Sequence, residues 1–384
     1  MTTDVLVVGA GTMGSMALWR LARRGVAAVG LEQFAPGHDR GSGHGESRVI
    51  RTAYFEGPEY VPLVRAAFPL WRELEAEAGV ELLTMTGALM IGRPDGPLVA
   101  GALRSVREHG LDHELLSSAE MAVRFPQHRL DSAEVGLWEA AAGLLRPERA
   151  IRAAAERAVA LGAELVTGVR VTAIEPGPEG VTVRADGAVY RARHAIVCAG
   201  PWLGGMLPGL GLPLAVTRQV MLWFSAPDPE PFRPGRFPIS IHEWERDRDG
   251  PHGYALPALD GSAVKVGFHG DGRPADPDAL DRAVTEADVA PVRAFMADVL
   301  PDLTGPLVRS AVCMYTSTPD EHFVVGPAGL PNLTVLGGFS GHGFKFAPVL
   351  GEVAADLALQ GGTGYPIAGF SPLRFSAAGR GRRG

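Results

Sequence analysis

The sequence predicts an α/β protein built as two domains, and three observations carry that prediction. The chain is 384 residues long, more than one hydrophobic core usually organises, so two domains are the default. An apolar run, Val5-Leu6-Val7-Val8, leads into Gly9-Ala10-Gly11-Thr12-Met13-Gly14 and then into a helical pattern from Ser15 to Arg24. Near the other end a short strand pattern, Leu333 to Leu336, leads into a second glycine-rich turn and a closing helix, Ala347 to Leu359. The last section thus returns to the domain that the first one starts.

The order strand, glycine turn, helix gives the first stretch its meaning as a Rossmann-like dinucleotide fingerprint. Gly9 permits the tight turn, Gly11 lets the backbone approach a pyrophosphate, and Gly14 lets helix and strand pack closely. The free amides at the helix start then face the phosphates. A second strand, Val26 to Leu31, ends at Glu32, 23 residues after Gly9, where an acid can bind a ribose hydroxyl. The fingerprint by itself leaves NAD and FAD both open.

A long loop follows, Pro36 to Arg48, rich in small and polar residues. Long loops without structure of their own are often functional. His44, Arg48 and Arg51 are candidates to face a cofactor or an anionic substrate, the alternative being solvated loop residues. Val64, Phe68, Trp71 and Leu74 make a helical stripe between Glu59 and Ala78, which reads as a core-facing helix with Trp71 as packing. Gly87–Ile91 and Val135–Trp138 read as strands, and Leu98–His109 and Ser118–Phe125 as helices. Pro147 suits the first turn of a helix that runs to about Leu161. Short strands are then expected at Glu164–Val166, Val169–Ile174, Val181–Arg184, Val189–Arg193 and Ala195–Ala199. A second sheet is expected from Leu214–Phe224, Pro238–Glu243, Gly253–Pro257 and Ala263–Phe268, followed by a helical region, Asp278–Leu300, interrupted at Pro291. Ser310–Thr316 and Phe323–Gly326 lead back to the first domain. In the second glycine turn, Gly337–Phe346, backbone amides and a helix N-terminus again point at something electron-rich. The tail, Gly379–Gly384, reads as disordered.

Composition excludes several classes. A hydrophobic content of 46% with 21% charged residues is that of a soluble globular protein. The net charge of −7 argues against a nucleic-acid partner. No apolar run reaches the length of a membrane span. The first strand begins so early that no signal peptide is expected, and two cysteines, Cys198 and Cys313, make no disulfide framework. A cytoplasmic location is therefore expected, and no metal site. Of 36 basic residues only Lys265 and Lys345 are lysine. An arginine-rich composition accounts for the scarcity but not for these two survivors, and lysine offers a compact charge with a shiftable pKa.

Several segments resemble the monomeric sarcosine oxidase and N-methyltryptophan oxidase family of FAD amine oxidases. They are Gly9–Gly14, Gly41–Arg51 with Tyr54, Glu59–Leu63, Cys313–Thr316, Pro319–Phe323 and Gly338–Phe346. Cys313-Met314-Tyr315 and Phe339–Lys345 are the most specific. The resemblance implies a two-domain flavoprotein. Its FAD-binding domain would take 1–84, 143–214 and 308–384, and its catalytic domain, a sheet with helices, 85–142 and 215–307. It implies FAD held through an 8α-thioether to Cys313. Arg51 and Lys345 would bind the substrate carboxylate, Arg48 would lie near the flavin ring and Lys265 would activate oxygen. His269, Tyr254 and Tyr315 would line the substrate pocket. The cofactor set implied is Gly9, Gly11, Thr12, Met13, Gly14, Glu32, Gln33, His44, Arg48, Val171, Gly200, Trp202, Cys313, Met314, Gly341, His342, Gly343, Phe344 and Lys345.

The implied reaction oxidises the C–N bond of a secondary amino acid to an imine and reduces O2 to H2O2, in a monomer. No residue is assigned as a general base. Ile241 stands where sarcosine oxidase has a pocket methionine, Ala53 replaces a histidine before Tyr54, and Trp244–Pro251 is longer and more charged than its counterpart. These departures bear on the substrate, so a cyclic imino acid such as proline or pipecolate is the alternative. An NAD-dependent dehydrogenase and a non-catalytic flavin carrier are the more distant ones.

Overall fold

The computed structural model describes residues 2–244, 252–259, 261, 263–270 and 272–376. The charged segment from 245 to 251 and the tail after 376 lie outside the described residues.

The first strand, Thr2–Val8, is the axis of a parallel sheet. It pairs with Ala28–Glu32 on one side and with Ala188–Val197 on the other. Glu164–Thr167 extends the sheet on the first side and Leu333–Gly337 on the second. Ala28–Glu32 and Leu333–Gly337 are buried at every position, as strands covered on both faces must be. One cover is three helices: Thr12–Arg23 packs against both Pro147–Ala160 and Ala347–Gln360.

Ala188–Val197 departs from expectation. The sequence reads as two strands there, and the structure has one strand of ten residues. Along one edge its residues 188–192 pair antiparallel with Gly180–Ala185 and residues 195–197 pair parallel with Leu333–Gly337, while Thr2–Val8 runs parallel along the other edge. His194 sits at the changeover, where its Nε2 lies 2.9 Å from the Thr334 hydroxyl. A cross-strand partner for that polar ring lets the strand continue through it.

The second sheet runs in the order Leu307–Ser317, Ala215–Phe224, Val264–His269, His252–Leu256, Ile239–Glu243, Ala88–Gly92, Val135–Glu139 and Glu114–Ser117. It is antiparallel except where Ile239–Glu243 meets Ala88–Gly92. Arg48–Ile50, Gly143–Leu145 and Leu83–Met85 form a small third sheet. The helix expected from the stripe is Val61–Ala78, with Val64, Trp71 and Leu74 fully buried.

The helical region expected from Asp278 starts only at Glu286 and runs unbroken through Pro291 to Val299. The delay has a physical cause. Buried Arg218 takes the carbonyls of Asp281 and Ala283 at 2.9 and 2.6 Å, so they are not free for helical amides. Thr285 and Asp288 then close a capping box that fixes the start.

Candidate functional site

The three fingerprint glycines are glycine for three different reasons. Gly9 has φ +84°, and a Cβ there would stand 2.7 Å from the Cys198 carbonyl. A Cβ on Gly14 would run into the Gly9 carbonyl, so that position is about packing. A Cβ on Gly11 would meet nothing within 4 Å. Gly11 instead opens onto a cavity of about 930 Å³, at the upper end of the range of about 300–1,000 Å³ for ligand and cofactor sites.

Glu32 closes this turn. Its carboxylate accepts the Ala10 amide at 2.7 Å and the Phe34 amide at 2.9 Å. Burial pushes the carboxyl up, but His38 and those two amides outweigh it and hold it below the usual range. An ionised Glu32 thus stays on the wall of the large cavity. Thr12, Met13, Gln33, Val171, Gly200, Trp202, Met314, Gly341, Gly343 and Phe344 share that wall with Gly9, Gly11 and Arg48.

A second cavity of about 110 Å³ adjoins the first, and Arg48, Tyr315, Gly341 and Phe344 line both. The seven residues expected to be catalytic, Arg48, Arg51, Tyr254, Lys265, His269, Tyr315 and Lys345, all line the small one. The cations there fall into two pairs. Lys265 and Arg48 share the Ser47 carbonyl, at 3.0 and 2.8 Å, and Lys265 also donates to the Gly45 carbonyl at 2.9 Å. Arg51 and Lys345 both lie over the Tyr54 ring, at 4.6 and 5.0 Å from its centroid. Burial, then Arg48, brings Lys265 well below its ordinary pKa, and burial, then Arg51, brings Lys345 down to about 7.

Burial keeps the neighbouring titratable groups neutral. Burial takes His269 down to about 4 and Tyr254 up to about 12, and also raises Tyr315. His269 Nδ1 and the Tyr315 hydroxyl are 3.1 Å apart. Cys313 is buried, its sulfur 3.8 Å from the Arg48 guanidinium and on the wall of the small cavity.

Some cofactor positions lie off the large cavity. Cys313, His342 and Lys345 border the small cavity instead. His342 also lies behind Tyr54, its Nδ1 2.5 Å from the phenol oxygen. His44 borders neither cavity: it is buried, its Nε2 has no partner among the described residues, and burial with Arg48 takes it down to about 4. Sequence reasoning missed Glu56, which pairs with Arg51 at 2.6 Å. It also missed Glu148, which accepts the Gly45 amide at 2.6 Å. Glu56 follows Tyr54-Phe55 and Glu148 follows Arg146-Pro147, and no pattern marks either. Asp276 and Asp278 border the large cavity, though Asp278 was expected in a helix.

The residues fit a bound FAD. Gly11 and the amides of Thr12 and Met13 offer a phosphate cradle, Glu32 an acceptor for a ribose, and Arg48, Met314 and Gly341 a far end beside the small cavity.

Residues 4–357 match the family model described as FAD dependent oxidoreductase. The chain is 44% identical to monomeric sarcosine oxidase from Streptomyces avermitilis, over 98% of this chain and 99% of that one. It is 35% identical to N-methyl-L-tryptophan oxidase from Salmonella arizonae, over 98% and 100%. Among solved structures, NikD, an amino acid oxidase essential for nikkomycin biosynthesis, superposes with a TM-score of 0.85 at 26% identity, over 97% of each chain. The match decides the cofactor that the glycine fingerprint leaves open, and the chain belongs to the FAD-dependent oxidoreductases, in the family of monomeric sarcosine oxidase and N-methyltryptophan oxidase.

Proposed function

We propose that the protein oxidises sarcosine or another N-methyl amino acid, with FAD as cofactor and O2 as acceptor. The observation that carries this reading is the pair of buried cations, Arg51 and Lys345, beside the small cavity that adjoins the larger one. Two fixed cations suit one substrate carboxylate, and charge-assisted hydrogen bonds orient it strongly. The substrate amine then lies among groups that burial keeps neutral, His269, Tyr254 and Tyr315, which can position an uncharged amine without taking its proton. When bound, FAD accepts the two electrons and two protons lost as the C–N–H unit becomes an imine, and passes them to O2 to give H2O2. Water hydrolyses the imine. Lys265 is the cation that stabilises negative charge developing on oxygen, as preorganised charges do in a water-poor site.

Cys313 is proposed to hold FAD through an 8α-thioether. Its support is the family resemblance of the Cys313-Met314-Tyr315 segment and the place of the sulfur beside Arg48. Acid precipitation should carry the yellow colour into the pellet; colour left wholly in the supernatant rules the bond out. The domain limits proposed are 1–84, 143–214 and 308–384 for FAD and 85–142 with 215–307 for substrate. A cytoplasmic monomer is the proposed state, in keeping with the word monomeric in the relatives' names and with two cysteines that form no disulfide.

The test is oxygen uptake with peroxide detection over sarcosine, N-methylalanine, N-methyltryptophan, proline and pipecolate. Turnover on an N-methyl substrate is expected to dominate. Dominant turnover on proline or pipecolate moves the protein to cyclic imino acids, and no turnover on any of them removes the oxidase reading.

A further inference from the structure

Lys265 does not hold its place alone. Its ammonium hangs from the carbonyls of Gly45 and Ser47, and the turn that carries them has an unusual shape. Gly45 has φ +98° and Glu46, not a glycine, has φ +70°, a left-handed conformation that a side chain rarely adopts without compensation. The compensation is visible. Glu148, in the first turn of helix Pro147–Ala160, accepts the Gly45 amide at 2.6 Å and the Glu46 amide at 3.1 and 3.2 Å through its two oxygens. The Glu46 side chain is tied down too, by the Trp223 indole at 2.8 Å and by Arg309.

The Glu46 amide and the Gly45 carbonyl belong to one peptide group. That group is trans, so its N–H and C=O point opposite ways. One end donates to the Glu148 carboxylate and the other accepts from the Lys265 ammonium. A single peptide plane therefore stands between a negative and a positive side chain, and such a chain of hydrogen bonds polarises cooperatively in a buried setting. We propose that Glu148 is a positioning residue for the oxygen half of the reaction: its carboxylate fixes the Gly45–Glu46 peptide so that the Gly45 carbonyl holds the Lys265 ammonium in place. This rests on the reading that Lys265 acts on oxygen.

The electrostatics agree. The charged or titratable groups facing Lys265 are Arg48 from its strand, Cys313 from Leu307–Ser317, His44 from the loop and Glu148 from the helix. Glu46 and Arg309 lie around the Trp223 ring. Arg48 opposes the ammonium and Glu148 favours it. Removing the charge of Glu148 should lower the Lys265 midpoint further.

The composition makes this measurable. The chain has two lysines, so lysine labelled with 13C at Cε gives two signals in the holoenzyme, assigned with Lys265→Met. Glu148→Gln is expected to lower the Lys265 midpoint by about one pH unit, a tenfold change in the charged-to-neutral ratio. The alkaline limb of flavin reoxidation by O2 should move by the same amount, while anaerobic reduction by substrate keeps its rate. Glu148→Asp, which keeps the charge, should recover most of both. If Lys265→Met slows reoxidation but Glu148→Gln moves neither midpoint nor limb, the role given to Glu148 is wrong and Lys265 stands. That role is equally lost if Glu148→Gln costs only flavin or thermal stability. If Lys265→Met leaves reoxidation unchanged, Lys265 is not the oxygen-side cation, and Glu148 positions nothing for that step.

Discussion

Arg51 already has a carboxylate partner. Its guanidinium is 2.6 Å from Glu56. Burial pushes the Glu56 carboxyl up, but Arg51, His342 and Lys345 outweigh it and bring it to about 2. A substrate carboxylate must compete with this ion for the same cation. Arg51→Ala is expected to weaken a simple carboxylate inhibitor by about ten- to a hundredfold, the loss of one charge-assisted bond of roughly 1.5–3 kcal/mol. Titration of the flavin spectrum reads it, and unchanged affinity in both Arg51→Ala and Lys345→Ala takes the clamp away. The pH dependence has a definite sign. Lys345 has its midpoint brought down to about 7, so its ammonium is present below that pH and lost above it. Inhibitor binding should be strongest on the acid side and weaken by up to about tenfold per unit above pH 7; a flat profile from pH 6 to 9 contradicts this. Both lysines were legible in the sequence because lysine is scarce there. Glu56 was not, because nothing in the short loop after Arg51 says which way its one acid turns.

At the scale of elements, legibility followed periodicity. Val61–Ala78 was readable because a wide apolar stripe needs no knowledge of its partner, and Thr12–Arg23 because glycine spacing fixes its start. Asp278 to Ala283 was not. Its carbonyls are taken by Arg218, a residue some sixty positions earlier, on a strand of the second sheet, and no local pattern carries that information. Arg218 also pairs with Asp288 at 2.8 Å, both side chains nearly buried. Removing Arg218 leaves Asp288 with Arg273 at 3.3 Å and with the Thr285 amide at 2.9 Å, so the cost stays below the roughly 3–5 kcal/mol of a buried charge left with no partner. Arg218→Met should therefore lower unfolding free energy by about 1.5–3 kcal/mol, the scale of a lost charge-assisted hydrogen bond, in a denaturant titration and loosen the crossing segment to proteolysis. A loss of only a few tenths would mean that the helix start is held by its capping box alone.

For the whole molecule, the distribution of histidine decides its response to acid. Burial leads the downward shift of His44, His128, His194, His242, His252, His269 and His342, seven of the eleven histidines. Their folded midpoints lie below the ordinary 6.5, so below that pH the unfolded chain binds more protons than the folded one. Stability should fall as pH drops through 6.5 and keep falling to about 3–4, by about 1.4 kcal/mol per unit for each imidazole kept neutral. His128 and His242 are the clearest pair. Their rings are 5.3 Å apart, and both nitrogens of His128 and Nε2 of His242 lack partners among the described residues. The double variant His128→Phe, His242→Phe should flatten the fall in melting temperature between pH 6.5 and 5. An unchanged slope would place the acid sensitivity elsewhere.

Both lysines of the chain are buried, at 3% and 5% exposure, so the outer surface carries no lysine at all. Amine-directed reagents such as succinimidyl esters and glutaraldehyde find no lysine side chain there to react with. A single lysine introduced at an exposed site, for instance Arg191→Lys or Glu179→Lys, would become a unique side-chain anchor. Coupling to an electrode or bead through it would fix the protein in one orientation.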